Sequence, residues 1–158
     1  KDKWNTHMFA KNRTEAIKVL NNLRNDEFIE PQGIVLRQYI PLVKLFEDPI
    51  NNMPVTWEYR FFCLDGKILS SGFYWVNFAD EIQHLLPKST PEPATKLVEQ
   101  VLKIIGDKIR FVVVDVALKA GTNHEWIVVE LNDGQQSGLS MNDPKILYKN
   151  LYQILISG

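Results

Sequence analysis

The sequence predicts an α+β fold built from antiparallel β-hairpins with packed helices, and three observations support that class. Two strand-like runs, residues 57–64 and 67–76, are separated only by Asp65-Gly66, the pair favoured in a two-residue type I′ hairpin turn. Two further β-branched runs, Phe111–Leu118 and Trp126–Asn132, flank a polar loop containing Gly121, Asn123 and His124, which reads as a second hairpin. Three stretches carry apolar residues at helical spacing. The resulting order of helix, strands, helix, strands, helix lacks the βαβ alternation of a doubly wound parallel sheet.

The first helix starts at Asn12-Arg13-Thr14-Glu15, which has the form of a capping box, and continues through Ile17, Leu20 and Leu23 to about Arg24. Asn25-Asp26 ends it. Pro31-Gln32-Gly33 reads as a turn, and residues 34–40 as a strand carrying Arg37 and ended by Pro41. Residues 42–54, with two prolines and no steady period, read as a loop over a ligand.

In the hairpin that follows, alternation places Glu58, Arg60 and Phe62 on one face, with Trp57, Tyr59 and Phe61 on the other. Glu58 is the sequence-local anion for Arg60, and a surface pair between them is the plain structural reading. Residues 87–93 form a linker, with Thr90 expected as N-cap and Pro91 at the first helical position. The second helix buries Ala94, Leu97, Val98, Val101, Leu102 and Ile105 and stops at Gly106. Asp143-Pro144 starts the last helix, whose expected buried stripe is Ile146, Leu147, Leu151, Ile154 and Leu155.

With 158 residues, 45% apolar and 23% charged, the chain is long enough for one domain, or for two small lobes sharing a cleft. A net charge of −1 gives no general electrostatic grip on nucleic acid, and no apolar run reaches membrane-spanning length. The single cysteine, Cys63, lies in an apolar strand and suggests a reducing, cytoplasmic setting. Oligomeric state leaves no trace.

Several chemistries are absent: there is no phosphate-binding G-x-x-x-x-G-K-[ST] loop, no G-x-G-x-x-G, no H-E-x-x-H and no G-x-S-x-G. The histidines at 7, 84 and 124 are too scattered for a metal site. The unusual stretch is 111–139. Asp115 and Glu130 each end a run of four apolar residues, and alternation puts Glu130 and Asn132 on one face with Trp126 and Val128. If Asp115 pairs opposite Glu130, three oxygen-bearing side chains converge, a donor set that suits a hard cation such as Mg²⁺. The glycine-rich continuation through Gly134 and Gly138 suits close approach of backbone N–H groups to an anion. Together with strand-borne Arg37 and Arg60, this combination suits a nucleoside triphosphate bridged by Mg²⁺.

Asp115 followed by Glu130-Leu131-Asn132 resembles the D…E-x-N metal signature of the ATP-grasp superfamily. The segments Gly33 to Pro41, Glu58-Tyr59-Arg60-Phe61-Phe62, Leu64-Asp65-Gly66-Lys67 and Glu130 to Leu139 resemble the clade of that superfamily named for two arginines and a lysine. The resemblance implies an ATP- and Mg²⁺-dependent carboxylate–amine ligase working through an acyl phosphate on small-molecule or peptide substrates. It implies that Asp115, Glu130 and Asn132 hold the metal and that Arg37 and Arg60 are the two arginines facing phosphate. Gln38, Tyr39 and Ile40 fall at the adenine hinge, and Glu58 falls among the nucleotide-binding residues. Gln135, Ser137 and Gly138 approach the acceptor or transferred phosphoryl group, and the family lysine is Lys1, with Lys3 as the second choice.

The same resemblance implies a partial ATP-grasp domain, with residues 1–40 a remnant of the smaller lobe, 41–158 the larger lobe, and the upstream pre-ATP-grasp domain absent. Two other functions stay open: a nucleotide-binding or interaction module without chemistry, and a Mg²⁺-dependent phosphodiesterase.

Overall fold

The computed structural model describes residues 8–25, 34–48, 52–134 and 136–157. By contacts the chain divides into two compact units, Lys1–Ile40 with Glu47–Pro54, and Pro41–Phe46 with Val55–Gly158. Within the first unit, α1 spans Arg13–Arg24. The Asn12 side chain accepts the Glu15 N–H at 2.9 Å, satisfying one orphan donor of the first turn, and the Glu15 carboxylate reaches back past the cap to accept the Lys11 N–H at 2.8 Å. Phe9 meets Tyr39 edge to face.

Residues 34–40 form no strand. A β-strand needs a neighbour for its backbone groups, and among the described residues none pairs with this segment. Its Val35, Leu36 and Tyr39 are exposed.

The second unit is organised by four antiparallel strands in the order β4, β3, β5, β6. These are β3 (Glu58–Leu64), β4 (Lys67–Phe73), β5 (Phe111–Leu118) and β6 (Trp126–Asn132). The β3–β4 turn has φ of 48° at Asp65 and 74° at Gly66, the two left-handed residues that a type I′ turn requires. Arg110 fastens its outside, donating twice to the Asp65 carboxylate. The stretch expected as a ligand-covering loop instead contains two short paired strands, β1 (Lys44–Glu47) and β2 (Pro54–Thr56). Val43 ties its start to the sheet, donating to the Leu118 carbonyl and accepting from the Trp57 N–H, both at 2.8 Å.

Each face of the sheet has its own cover. Beyond the four-residue helix α2 (Ala79–Ile82), α3 (Glu92–Ile105) lays Ala94, Val98 and Leu102 on Tyr59, Phe61, Cys63, Val112, Val114 and Val116. Spacing of four keeps those three residues on one stripe, and burying each valine or leucine contributes about 1.5–3 kcal/mol. Pro91, not Thr90, is the N-cap of α3; the Thr90 hydroxyl is instead shared with Ser71 at 2.7 Å. Gly106 closes the helix at φ 57°, as its position suggested.

On the opposite face, α4 (Pro144–Ser157) packs Leu147, Leu151 and Ile154 on Phe62, Leu64, Leu69 and Val113. Ile146 and Leu155, expected in that stripe, are exposed. The cover reaches only the half of this face that carries apolar residues. The other half carries charge.

Candidate functional site

Arg60 on β3 is the register partner of Asp115 on β5, and Asp115 is the register partner of Glu130 on β6. Gly72 on β4 completes the row on the other side of Arg60. Opposed residues in antiparallel strands share a face, so Arg60, Asp115 and Glu130 stand side by side across three strands. Asn132, opposite Val113, lies two residues along the same face from Glu130.

Simple alternation misplaced the rest of β6. The register shifts between Asp115 and Val116, because Asp115 pairs with Glu130 but Val116 pairs with Val128. Val129 is therefore the extra residue of a β-bulge, which turns the alternation over. Trp126 and Val128 consequently lie on the α3 side, where Trp126 meets Tyr59 at 5.9 Å between ring centroids, and not with Glu130 and Asn132. The bulge lets β6 send Trp126 into the core and Glu130 to the polar face.

The Arg60 guanidinium is held on three sides. Nε donates to Asp115 Oδ1 at 2.9 Å and Nη2 to Oδ2 at 2.7 Å, a two-pronged pair that only arginine can make. Nη1 donates to the Gly138 carbonyl at 2.9 Å, and the Tyr74 ring lies 4.8 Å from the guanidinium carbon. The Asp115 hydrogen bonds and charge, with a smaller effect from Glu130, hold the guanidinium pKa above its ordinary value against the opposing pull of burial. Glu130 itself is exposed and, among the described residues, forms no ion pair.

Glu58 does not neutralise Arg60 directly. Its carboxyl accepts from the Thr56 hydroxyl at 3.0 Å and is 6% exposed. Burial raises its pKa from 4.5 to about 7, and the neighbouring Asp115 charge adds to that rise; the Thr56 bond and Arg60 oppose it. The Trp75 indole N–H also favours the carboxylate slightly, yet it is buried outside hydrogen-bond geometry with any described acceptor. The surface pair between Glu58 and Arg60 expected from the sequence is therefore not formed: Glu58 is buried, and Arg60 takes Asp115 as its partner.

Ser137 and Gly138 lie in the loop after β6, the Gly138 carbonyl on Arg60 as above, and Ser137 N–H 3.4 Å from the Gly134 carbonyl. Arg37, Gln38, Tyr39 and Ile40 belong to the other unit and are exposed. Lys1, Lys3 and Gln135 lie outside the described residues. Two residues of this region lie outside the sequence motifs: Asn142, a buried amide bonded to both β3 and β4, and Gly72, whose place within a strand is the one local sign of close backbone approach.

Among the described residues, no three His, Cys, Asp or Glu side chains cluster closely enough to hold a metal ion by themselves. Asp115, Glu130 and Asn132 bring two carboxylates and an amide to the polar face, and these are the hard oxygen donors that Mg²⁺ prefers. Among the same residues, no helix is long and apolar enough to cross a membrane. No curated protein and no solved structure matches the chain. A family model does match, over residues 5–151, and it describes an ATP-grasp domain, family 3 of the clade named for two arginines and a lysine. With nearly the whole chain inside that match, the protein belongs to the third family of that clade of ATP-grasp domains.

Proposed function

We propose that the protein is an ATP- and Mg²⁺-dependent ligase that joins a small-molecule or peptide carboxylate to an amine. ATP phosphorylates the carboxylate to an acyl phosphate with loss of ADP, and the amine then displaces phosphate to form the amide. The observation that carries this reading is the row Arg60, Asp115, Glu130 across three adjacent strands, inside a chain that the ATP-grasp family covers.

The residues present fit a magnesium ion. Glu130 and Asn132 offer exposed or half-buried oxygens two residues apart on one face. Asp115 keeps lone pairs beyond the two that Arg60 uses, since a carboxylate has about four acceptor positions. Asp115, Glu130 and Asn132 would hold Mg²⁺, which would supply positive charge to offset that of the phosphates. The protein's own contribution is orientation: Asp115, Gly138 and Tyr74 fix the Arg60 fork, so its positive charge is already in place when an anion arrives.

In the same reading Arg37 is the second phosphate-facing arginine, and Gln38, Tyr39 and Ile40 form the adenine hinge. Glu58, Gln135, Ser137 and Gly138 border the nucleotide or acceptor, and Lys1 or Lys3 is the family lysine. Residues 1–40 then belong to the smaller lobe and 41–158 to the larger. The single cysteine, whose thiol burial pushes up to about 12, fits a cytoplasmic protein with no thiol chemistry.

A second reading, a nucleotide-binding module without chemistry, draws support from the direct pairing of Arg60 with Asp115. Measuring ADP release with Mg²⁺ across pairs of carboxylates and amines, amino acids and peptides among them, separates the two. ADP formed only when both substrates are present supports the ligase; bound ATP with no ADP from any pair supports the module.

A further inference from the structure

The loop that supplies the Gly138 carbonyl is fastened to the sheet at one buried amide. Asn142, 5% exposed, donates through Nδ2 to the Arg60 backbone carbonyl at 3.2 Å and to the Leu139 carbonyl at 3.0 Å. Its Oδ1 accepts the Ser70 hydroxyl from β4. Its own N–H closes the turn onto the Leu139 carbonyl at 3.1 Å, and the preceding Met141 N–H reaches the Phe73 carbonyl at 2.9 Å. Ser140, inside this turn, sits at φ 55°, a left-handed conformation that persists only where its surroundings hold it.

Close approach is possible because Gly72, the residue opposite Arg60, has no Cβ. A methyl group there would collide with the backbone of Met141 and Asn142. The loop therefore touches Arg60 at both ends: Asn142 takes its main-chain carbonyl, and Gly138, four residues earlier, takes its Nη1.

Building on the ligase reading, we propose that Asn142 is a positioning residue for Arg60. By locking the 139–142 turn onto β3 and β4, it sets where the Gly138 carbonyl stands, and so fixes the third side of the guanidinium. Asp115 holds two prongs of the fork on its own; the loop carbonyl decides its tilt. A merely structural amide would support the fold without changing how firmly Arg60 is held.

The test follows the Arg60 Nη1–H, the group whose bond the Gly138 carbonyl accepts, by NMR, its signal assigned by loss in Arg60→Lys, in the full chain without nucleotide. In Asn142→Ala, its hydrogen exchange should rise about fivefold or more, the factor expected for losing one net hydrogen bond, while backbone amides of β3 and β5 keep their protection. Ser70→Ala, which loosens the same amide more gently, should raise it about twofold and serves if the alanine variant fails to fold. Unchanged Arg60 exchange in whichever of these variants folds would overturn the proposal.

ATP–Mg²⁺ titration then tests coupling. Asn142→Ala should weaken binding in the wild-type background and add nothing in an Arg60→Lys background, because an effect transmitted through Arg60 cannot be additive with its loss. Equal effects in both backgrounds would also overturn the positioning role. Faster Arg60 exchange in a protein whose wild type binds no ATP–Mg²⁺ would instead uphold the positioning role and refute the ligase reading.

Discussion

Arg60 and Asp115 face each other as register partners on β3 and β5, and their side chains meet through two hydrogen bonds of 2.9 and 2.7 Å with the acid 1% exposed. Asp115→Asn would keep the shape and remove the charge, leaving a buried guanidinium without its counter-ion. The expected loss of stability is about 3–5 kcal/mol, the usual result of breaking a buried pair from one side. Urea unfolding measures it. Asp65→Asn breaks a fork of the same form at exposed Arg110 and should leave the unfolding midpoint nearly unchanged. A similarly small change for Asp115→Asn would show that water reaches the Arg60 pair.

Arg60→Lys preserves charge but cannot reproduce three directed N–H bonds. ATP–Mg²⁺ affinity is expected to fall at least about tenfold, because a planar fork is replaced by a flexible point charge. The melting temperature should fall too, since the same group holds Asp115 and Gly138. Calorimetric titration well below the melting point separates binding from unfolding; wild-type affinity there would return Arg60 to a purely structural role.

Glu58 gives the fold a pH dependence of definite sign. Its pKa stands at about 7 in the folded protein against 4.5 for an ordinary glutamate. The folded state therefore holds the proton more tightly, and the stability this contributes is present below pH 4.5 and lost as pH rises through 7. The total swing is on the order of 3 kcal/mol. Glu58→Gln, permanently neutral, should flatten the decline in melting temperature between pH 5 and 8. An unaltered profile in that variant would mean that Glu58 ionises normally.

What could be read from the sequence was whatever is decided locally. Asp65-Gly66 dictates its turn because few other residues accept positive φ twice in succession. The strands β5 and β6 followed from their β-branched runs, and the opposition of Asp115 to Glu130 was anticipated and is present. What escaped depends on distant partners. The anion for Arg60 is 55 residues away, not two, and strand alternation cannot rank those candidates. The bulge at Val129 breaks the period of two within one strand, so Trp126 and Glu130 part company. Residues 34–40 have strand composition but no described neighbour to complete a ladder. Asn142 belongs to no local motif; its hydrogen bonds to Ser70 and Arg60, beside Gly72, show it bridging two strands.

The most direct measurement is ATP titration with and without Mg²⁺ on the wild-type protein and on Glu130→Gln. Glu130 is exposed and forms no ion pair among the described residues, so the variant should melt within the small range of a surface substitution, about 0.5 kcal/mol. The expected result is Mg²⁺-dependent ATP binding in the wild type and loss of that Mg²⁺ dependence in a normally folded Glu130→Gln. Equal Mg²⁺-dependent binding by both proteins would contradict the assignment of the Arg60, Asp115, Glu130 row as the nucleotide and metal site.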